Sequence, residues 1–435
     1  MPKYDLAIIG AGWAGFNAAL KAKELGLKAC LIDSRQIGGT CLNYGCIPTK
    51  TLIACAKIFS LAKKSSNFGV ELENLRLNFT AIQEKKDKIV RQLAQGMQGR
   101  LSGIDFINSS AQIISPKEIK ADGGIIDTQF ILIATGSHPL ELPGLKFDQK
   151  KIISSDEAIA LPKIPQSLLV IGAGVIGCEF ASLFSIFGSE VTLVEKMPLI
   201  LPTEDRDVSR KIEVIFKKKG IKVVTGADLS IFNFDNYSKI LVSIGRAPNT
   251  DGLGLEDLVV KLNNHKIEVD DYLKCNLDNI YAAGDCTGQI MLAHYAAYQG
   301  VLAVKNMAAD NKLKADNLVV PSCIFTEPQV ASVGVKENDA LARGLRIKIH
   351  KFDFRASAMA QIIDETEGFI KIITDQETGQ IIGASIIGPQ AAELIATLGV
   401  AISSRLTVDE VSAMIFAHPT FSESLHETFL VSHNF

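Results

Sequence analysis

Two cysteines, Cys41 and Cys46, stand in the run Gly38-Gly39-Thr40-Cys41-Leu42-Asn43-Tyr44-Gly45-Cys46-Ile47-Pro48-Thr49-Lys50. In a regular helix their separation would rise about 7.5 Å, whereas bridged cysteines need Cα atoms closer than about 7 Å. A disulfide here therefore requires a distorted turn, and Gly45 and Pro48 can supply one. A strained, accessible bridge is easily reduced, which suits redox chemistry. The alternatives are a metal site and two unpaired structural thiols. A zinc site would want a second Cys or His pair at recognisable spacing, and the sequence has none, so no metal ligand set is assigned. Unpaired buried cysteine is a common core residue. Cys30, Cys55, Cys178, Cys275, Cys286 and Cys323 are scattered and read as small apolar side chains. Scattered cysteines behind an N-terminus without a secretory pattern predict a reducing, cytoplasmic setting, where a close pair is catalytic rather than structural.

The elements that would position such a pair are visible as an internal repeat. Residues 8–33 read IIGAGWAGFNAALKAKELGLKACLID and residues 170–195 read VIGAGVIGCEFASLFSIFGSEVTLVE. They align without a gap: Gly10, Gly12, Gly15, Ala19 and Gly26 match Gly172, Gly174, Gly177, Ala181 and Gly188, and Asp33 matches Glu195. Each copy runs from an apolar strand through a glycine turn into a helical pattern, then into a β-branched strand ending on a carboxylate. The first glycine permits the tight turn, the second admits a pyrophosphate, and the third lets helix and strand pack closely. The helix N-terminus offers free N–H groups to phosphate, and the terminal acid accepts from a ribose diol. Two such units imply two dinucleotides, or one dinucleotide and a degenerate copy. Glu195 repels a 2′-phosphate and so favours NAD over NADP.

Bulk composition is consistent with a compact soluble enzyme of two to four domains. The 435 residues carry 45 Lys plus Arg against 48 Asp plus Glu, so a nucleic-acid partner is not expected. The most apolar stretch, residues 168–194, is interrupted by glycines and by Glu179 and Glu190, and predicts no membrane span.

Taken together, the sequence resembles the disulfide-reducing flavoprotein family over essentially its whole length. The segment GGTCLNYGCIPTK resembles the family's active-disulfide signature. Ala134-Thr135-Gly136-Ser137 is similar to the exit from the flavin domain, and Ile244-Gly245-Arg246-Ala247-Pro248-Asn249 to the return from the nicotinamide domain. Ala282-Ala283-Gly284-Asp285, followed by Leu292-Ala293-His294, resembles the second flavin motif, and His418-Pro419-Thr420-Phe421-Ser422-Glu423 the C-terminal catalytic signature.

The resemblance implies an α/β fold with two Rossmann-like domains, for FAD and NAD, and an α+β dimerisation domain. The expected boundaries are 1–144 for the FAD domain, 145–270 for the NAD domain, 271–318 for a central segment completing the FAD domain, and 319–435 for dimerisation, with Leu145, Asp270 and Leu318 marking the transitions. Cofactor contacts would come from Gly10, Gly12, Gly15, Asp33, Gly39, Thr40, Lys50, Thr135, Gly136, Asp285 and Ala293 on the flavin side. Gly172, Gly174, Gly177, Glu195 and Gly245 would serve the nicotinamide side. A substrate dithiol would attack Cys41, and Cys46 would leave as a thiolate beside the flavin. Lys50, paired with Glu179, would stabilise negative charge there. His418 would remove the substrate proton, its ring held by Glu423, and would act across a homodimer on the partner's cysteines. The implied partner is a lipoyl-bearing protein of a 2-oxo-acid dehydrogenase or glycine-cleavage system.

Other readings are reduction of a different disulfide, reduction of mercuric ion, or a non-catalytic flavin-binding assembly or sensor subunit. No cysteine follows Cys323, whereas mercuric reduction would need extra ones near the C-terminus. The family's β excursion is expected to be trimmed in residues 225–241, and the tail after Glu423 to be short. His294 is assigned no chemistry, and Trp13 packs over the cofactor or into the core.

Overall fold

The computed structural model describes residues 3–317 and 319–430. Leu318, expected at a domain transition, lies outside the described residues.

The first repeat opens on the strand Lys3–Ile9, whose apolar residues are buried on both faces. That pattern belongs to a parallel strand covered on both sides. It lies between Ala29–Ile32 and Gly124–Ile133, parallel to each. Asp105–Ile107 extends the sheet on one side, and Glu118–Ala121 and Ala111–Ser115 extend it on the other. Far along the chain, Ile280–Ala282 joins the same sheet parallel to Gly124–Ile133. The helix Ala293–Ala308 then packs against the first-repeat helix Trp13–Glu24. A Cβ on Gly300 would lie 2.2 Å from the Ala14 carbonyl oxygen, so a glycine is what lets these helices meet.

The second repeat builds a five-stranded parallel sheet in the order Lys222–Thr225, Glu190–Glu195, Ser167–Ile171, Lys239–Val242, Ile152–Ile153. Its glycine turn has the same cause as the first. A Cβ on Gly10 would lie 2.2 Å from the Ala134 carbonyl oxygen, and one on Gly172 would lie 2.6 Å from that of Ser243. Both residues have positive φ, +106° and +97°. Residues 225–241 hold no strand excursion: two single-turn helices, Leu229–Ile231 and Phe234–Asn236, replace it. Phe232, Phe234 and Tyr237 pack over Leu169, Ile171, Val194, Ile240 and Val242, covering the sheet face.

The third region is α+β. Five antiparallel strands run in the order Ser322–Ile324, Gln329–Gly334, Ile381–Gly388, Phe369–Asp375, Ile347–Asp353, with Ala391–Ser403 packed on the sheet. It is fastened to the second repeat by a buried cation. Lys371, 1 % exposed, lies 3.1 Å from Asp205, 3.2 Å from Asp207 and 2.6 Å from Glu337.

Among the described residues, one helical stretch, Gly39–Lys63, has the length and apolar content of a membrane span. It is broken at Tyr44–Gly45, and Pro48, Thr49, Thr51, Leu52 and Ala56 are buried within the fold.

Candidate active site

The cysteine loop is held by glycines that have no substitute. Gly38 has φ +99° and donates its N–H to the Ala11 carbonyl at 2.8 Å. Gly39 has φ +55°, and a Cβ there would lie 2.7 Å from Gly12 Cα. The first glycine turn and the cysteine loop are thus in backbone contact. A short helix, Gly39–Asn43, carries Cys41; the chain breaks at Tyr44 and Gly45; a second helix, Cys46–Lys63, begins on the other cysteine. The break is the distorted turn that the spacing requires. It lies at Gly45, whereas Pro48 sits inside the first turn of the second helix, where a missing N–H costs nothing.

Both thiols are free and half-buried. The Cys41 thiol donates to Cys46, and this hydrogen bond with the nearby Lys50 charge brings Cys46 down to about 7, against the opposing effects of burial and Glu179. Donation to Cys46 and burial push Cys41 up. The pair therefore divides into a thiol and a sulfur poised to carry charge near neutral pH. Burial drives the other thiols upward, Cys30, Cys275 and Cys286 to about 12 and Cys323 to about 11.

One turn beyond Cys46, the Lys50 ammonium lies 2.8 and 2.9 Å from the Glu179 carboxylate oxygens. Glu179 stands on the helix Val175–Phe187 and is 3 % exposed. It also accepts the Phe325 N–H at 2.9 Å, and the Phe325 ring centroid lies 4.8 Å from Lys50 Nζ. The pair thus joins all three regions of the chain. The contact with Phe325 has no signal in sequence, because no periodicity relates positions so far apart.

Both glycine turns suit a dinucleotide. Helices Trp13–Glu24 and Val175–Phe187 start after Gly12 and Gly174 with no side-chain cap and no acid in the first turn, leaving N–H groups and the positive helix end to a phosphate. A Cβ on Gly174 would meet nothing within 4 Å, whereas one on Gly15 would lie 1.8 Å from the Gly10 oxygen and one on Gly177 1.9 Å from the Gly172 oxygen. The third glycines are therefore fixed by packing, and the second glycine of the second turn opens onto space. Asp33 accepts the Ala11 and Arg35 N–H groups, and Glu195 those of Ala173 and Met197. Each acid clamps its own glycine turn and retains acceptor capacity for a ribose diol.

Thr135, Gly136 and Gly245 belong to the two connections between the first sheets. These pair as Ser137–Pro139 against Arg246–Pro248. The Thr135 hydroxyl donates to the Asn249 carbonyl at 2.6 Å, Gly136 has φ +72° and Gly245 φ +131°. The Ser137 hydroxyl donates to Asp285 at 2.6 Å and accepts from Arg246 Nε at 2.7 Å. Ala293 opens the helix Ala293–Ala308, and His294 Nε2 bonds the Pro321 carbonyl oxygen. Thr40 follows Gly39 in the first turn of the Cys41 helix.

His418 Nδ1 lies 2.8 Å from Glu423 Oε1, and Glu423 Oε2 accepts the Thr420 N–H at 2.8 Å. The Thr420 N–H and then His418 hold the Glu423 carboxyl below the usual range. A proton on Nδ1 leaves Nε2 as an acceptor. The His418 side chain is 73 % exposed, and the helix that follows it, Glu423–Leu430, packs on Phe369–Asp375 and Ile347–Asp353.

Residues 4–300 match the pyridine nucleotide-disulphide oxidoreductase family, and residues 320–429 match that family's dimerisation domain. The chain belongs to the pyridine nucleotide-disulphide oxidoreductases. Proteins named dihydrolipoyl dehydrogenase from Bacillus subtilis and Chlamydia muridarum are 38 % and 39 % identical to it, over 99 % of this chain and 98 % and 97 % of theirs. The structure of LpdA from Mycobacterium tuberculosis superposes with a TM-score of 0.91 at 28 % identity, covering 99 % of this chain and 100 % of that one. The HOCl-induced flavoprotein disulfide reductase RclA of Escherichia coli gives 0.88 at 28 % identity, covering 98 % and 100 %. As a member of the family, the chain is an oxidoreductase of the FAD- and NAD-using flavoprotein class, and its dimerisation domain supports a homodimer.

Proposed function

We propose that this chain oxidises dihydrolipoyl groups carried on the lipoyl-bearing protein of a 2-oxo-acid dehydrogenase or glycine-cleavage system, with NAD as acceptor. The observation that carries the reading is the geometry of the cysteine pair, with Cys41 and Cys46 on consecutive helices broken at Tyr44–Gly45 and the Lys50 ammonium, held by Glu179, one turn beyond Cys46. Names borne by full-length relatives support the substrate.

In the oxidised enzyme a substrate thiolate attacks the Cys41 sulfur, the Cys41–Cys46 bond breaks, and its electron pair leaves on Cys46. The hydrogen bond and the Lys50 charge that lower Cys46 make it the better leaving group. The second substrate thiolate then attacks the substrate sulfur bonded to Cys41, and Cys41 leaves. His418 Nε2 accepts the substrate thiol proton, and Glu423 fixes the tautomer through Nδ1. Gly10, Gly12, Gly15 and Asp33 of the first repeat would hold FAD, which would supply the two-electron redox chemistry, and Gly172, Gly174, Gly177 and Glu195 of the second would hold the NAD acceptor. The Lys50–Glu179 pair fixes a cation beside Cys46 while tying the second repeat to the cysteine helix. Because the His418 ring is exposed on the dimerisation domain, we assign it and Glu423 to the site of the other protomer. The sheet memberships support boundaries near Leu145 and Asp270, and the scattered thiols a cytoplasmic setting.

Cys41→Ser is expected to abolish dihydrolipoamide turnover while FAD stays bound. A variant that keeps dithiol turnover refutes the assignment.

A further inference from the structure

Trp13 is the only tryptophan in the chain, and it stands inside the first glycine turn, as the first residue of the helix Trp13–Glu24. Its indole Nε1 is buried and has no hydrogen-bond partner among the described residues. A buried indole N–H without an acceptor is costly, and such groups normally find one. The backbone around it brings one near. The Gly38 N–H donates to the Ala11 carbonyl, and Gly39 is packed on Gly12 so closely that a Cβ would reach 2.7 Å from Gly12 Cα. These contacts set the helix start at Trp13 beside the helix start that carries Cys41. The indole is near enough to the Cys41 sulfur to favour its thiolate, against the larger effects of Cys46 and burial.

We propose that Trp13 is a positioning residue for the exchange reaction, its indole N–H serving as donor to the Cys41 sulfur when that sulfur carries charge. The step it favours is the second exchange. There the bond between the substrate sulfur and Cys41 breaks, a new bond forms between the two substrate sulfurs, and the electron pair remains on Cys41. Thiolate sulfur accepts hydrogen bonds far better than a thiol or a disulfide, so the contact strengthens as the bond breaks. Lys50 serves Cys46 from one side, and Trp13 serves Cys41 from the other. The inference rests on Cys41 exchanging disulfides, as proposed above, but not on which dithiol it meets.

The test uses the FAD-loaded enzyme with Cys46→Ser, leaving Cys41 alone at the site. Its alkylation by iodoacetamide is followed against pH by mass spectrometry of the Cys41 peptide, with and without Trp13→Phe. The phenyl ring keeps bulk and loses the donor. The expected result is an upward shift of the Cys41 midpoint by about one pH unit, a tenfold change in proton affinity. In the enzyme with both cysteines, Trp13→Phe should lower kcat for dithiol oxidation with KM little changed. Should Trp13→Phe fail to fold or to hold FAD, the native chain supplies a second readout. As the sole tryptophan, Trp13 reports directly on the neighbouring sulfur, so its emission should change on reduction of the cysteine pair and lose that response in Cys41→Ser. Coincident alkylation midpoints, or an emission indifferent to both reduction and Cys41→Ser, would overturn the proposal. A shifted midpoint in an enzyme that ignores dihydrolipoamide would uphold this contact while removing the proposed substrate.

Discussion

The chemistry at the residue scale is the separation of two sulfurs that differ little in sequence context. Lys50 lowers Cys46 and Glu179 works against it, so the two can be separated by substitution. Lys50→Met removes the cation and should move the pH midpoint of Cys46 alkylation in the reduced enzyme upward from about 7, because the thiolate loses stabilisation. A downward or unchanged midpoint would show that the hydrogen bond from Cys41 alone sets it. His418→Gln should lower kcat for dithiol oxidation by about 10²–10⁴-fold, the usual contribution of a positioned base. Glu423→Gln should cost less, since it loosens the ring without removing it; a pH profile of kcat separates the two. Cys41 and Cys46 could be singled out by type and spacing, whereas Lys50, Glu179, His418 and Glu423 are reached through the resemblance to the disulfide-reducing flavoproteins, because a lysine, a glutamate or a His-Pro pair alone has many other uses. Trp13 near Cys41 and the Phe325 N–H against the Glu179 carboxylate could not, because both are encounters whose neighbourhood exists only after folding.

At the scale of elements, the two glycine turns make opposite demands at adjacent positions. Gly15 and Gly177 lie against the carbonyls of Gly10 and Gly172, so Gly15→Ala or Gly177→Ala should disrupt its own domain. Gly174 has φ −73°, which alanine accepts, and its Cβ would meet no atom within 4 Å. Gly174→Ala should therefore leave the thermal midpoint unchanged or slightly raised while increasing KM for NAD, because the methyl fills the space a pyrophosphate needs. A destabilised Gly174→Ala enzyme with normal KM would contradict that assignment. The repeat was legible because glycine spacing and strand hydrophobicity are local properties. The return of Ile280–Ala282 to the first sheet has no local signature, since the strand it joins in parallel, Gly124–Ile133, is far away in the chain. In the short connection between the strands Lys222–Thr225 and Lys239–Val242, Phe232, Phe234 and Tyr237 lay aromatic area over the sheet face.

The whole molecule depends on joints between regions. Burial alone would lower Lys371, yet Glu337, Asp205 and Asp207 outweigh it and hold it charged. Lys371→Met leaves buried Asp205 without its cation and should cost about 3 kcal/mol in denaturant unfolding, at the low end for a broken buried pair because Asp207 and Glu337 keep contact with water. The second joint is between chains. If His418 serves the other protomer, an inactive Cys41→Ser chain refolded with an inactive His418→Gln chain should recover about one quarter of the parental activity, since half the dimers are mixed and each has one intact site. Equal inactivity before and after mixing would return His418 to its own chain. The measurement that bears most directly on the central claim is anaerobic titration of the purified enzyme with dihydrolipoamide, followed by NAD, with visible absorbance recorded throughout. Bleaching of the flavin band by the dithiol, then its recovery with NADH formation on adding NAD, is the predicted result. A flavin that ignores dihydrolipoamide but is bleached by NADH would contradict the proposed substrate and redirect the same cysteine pair to another disulfide.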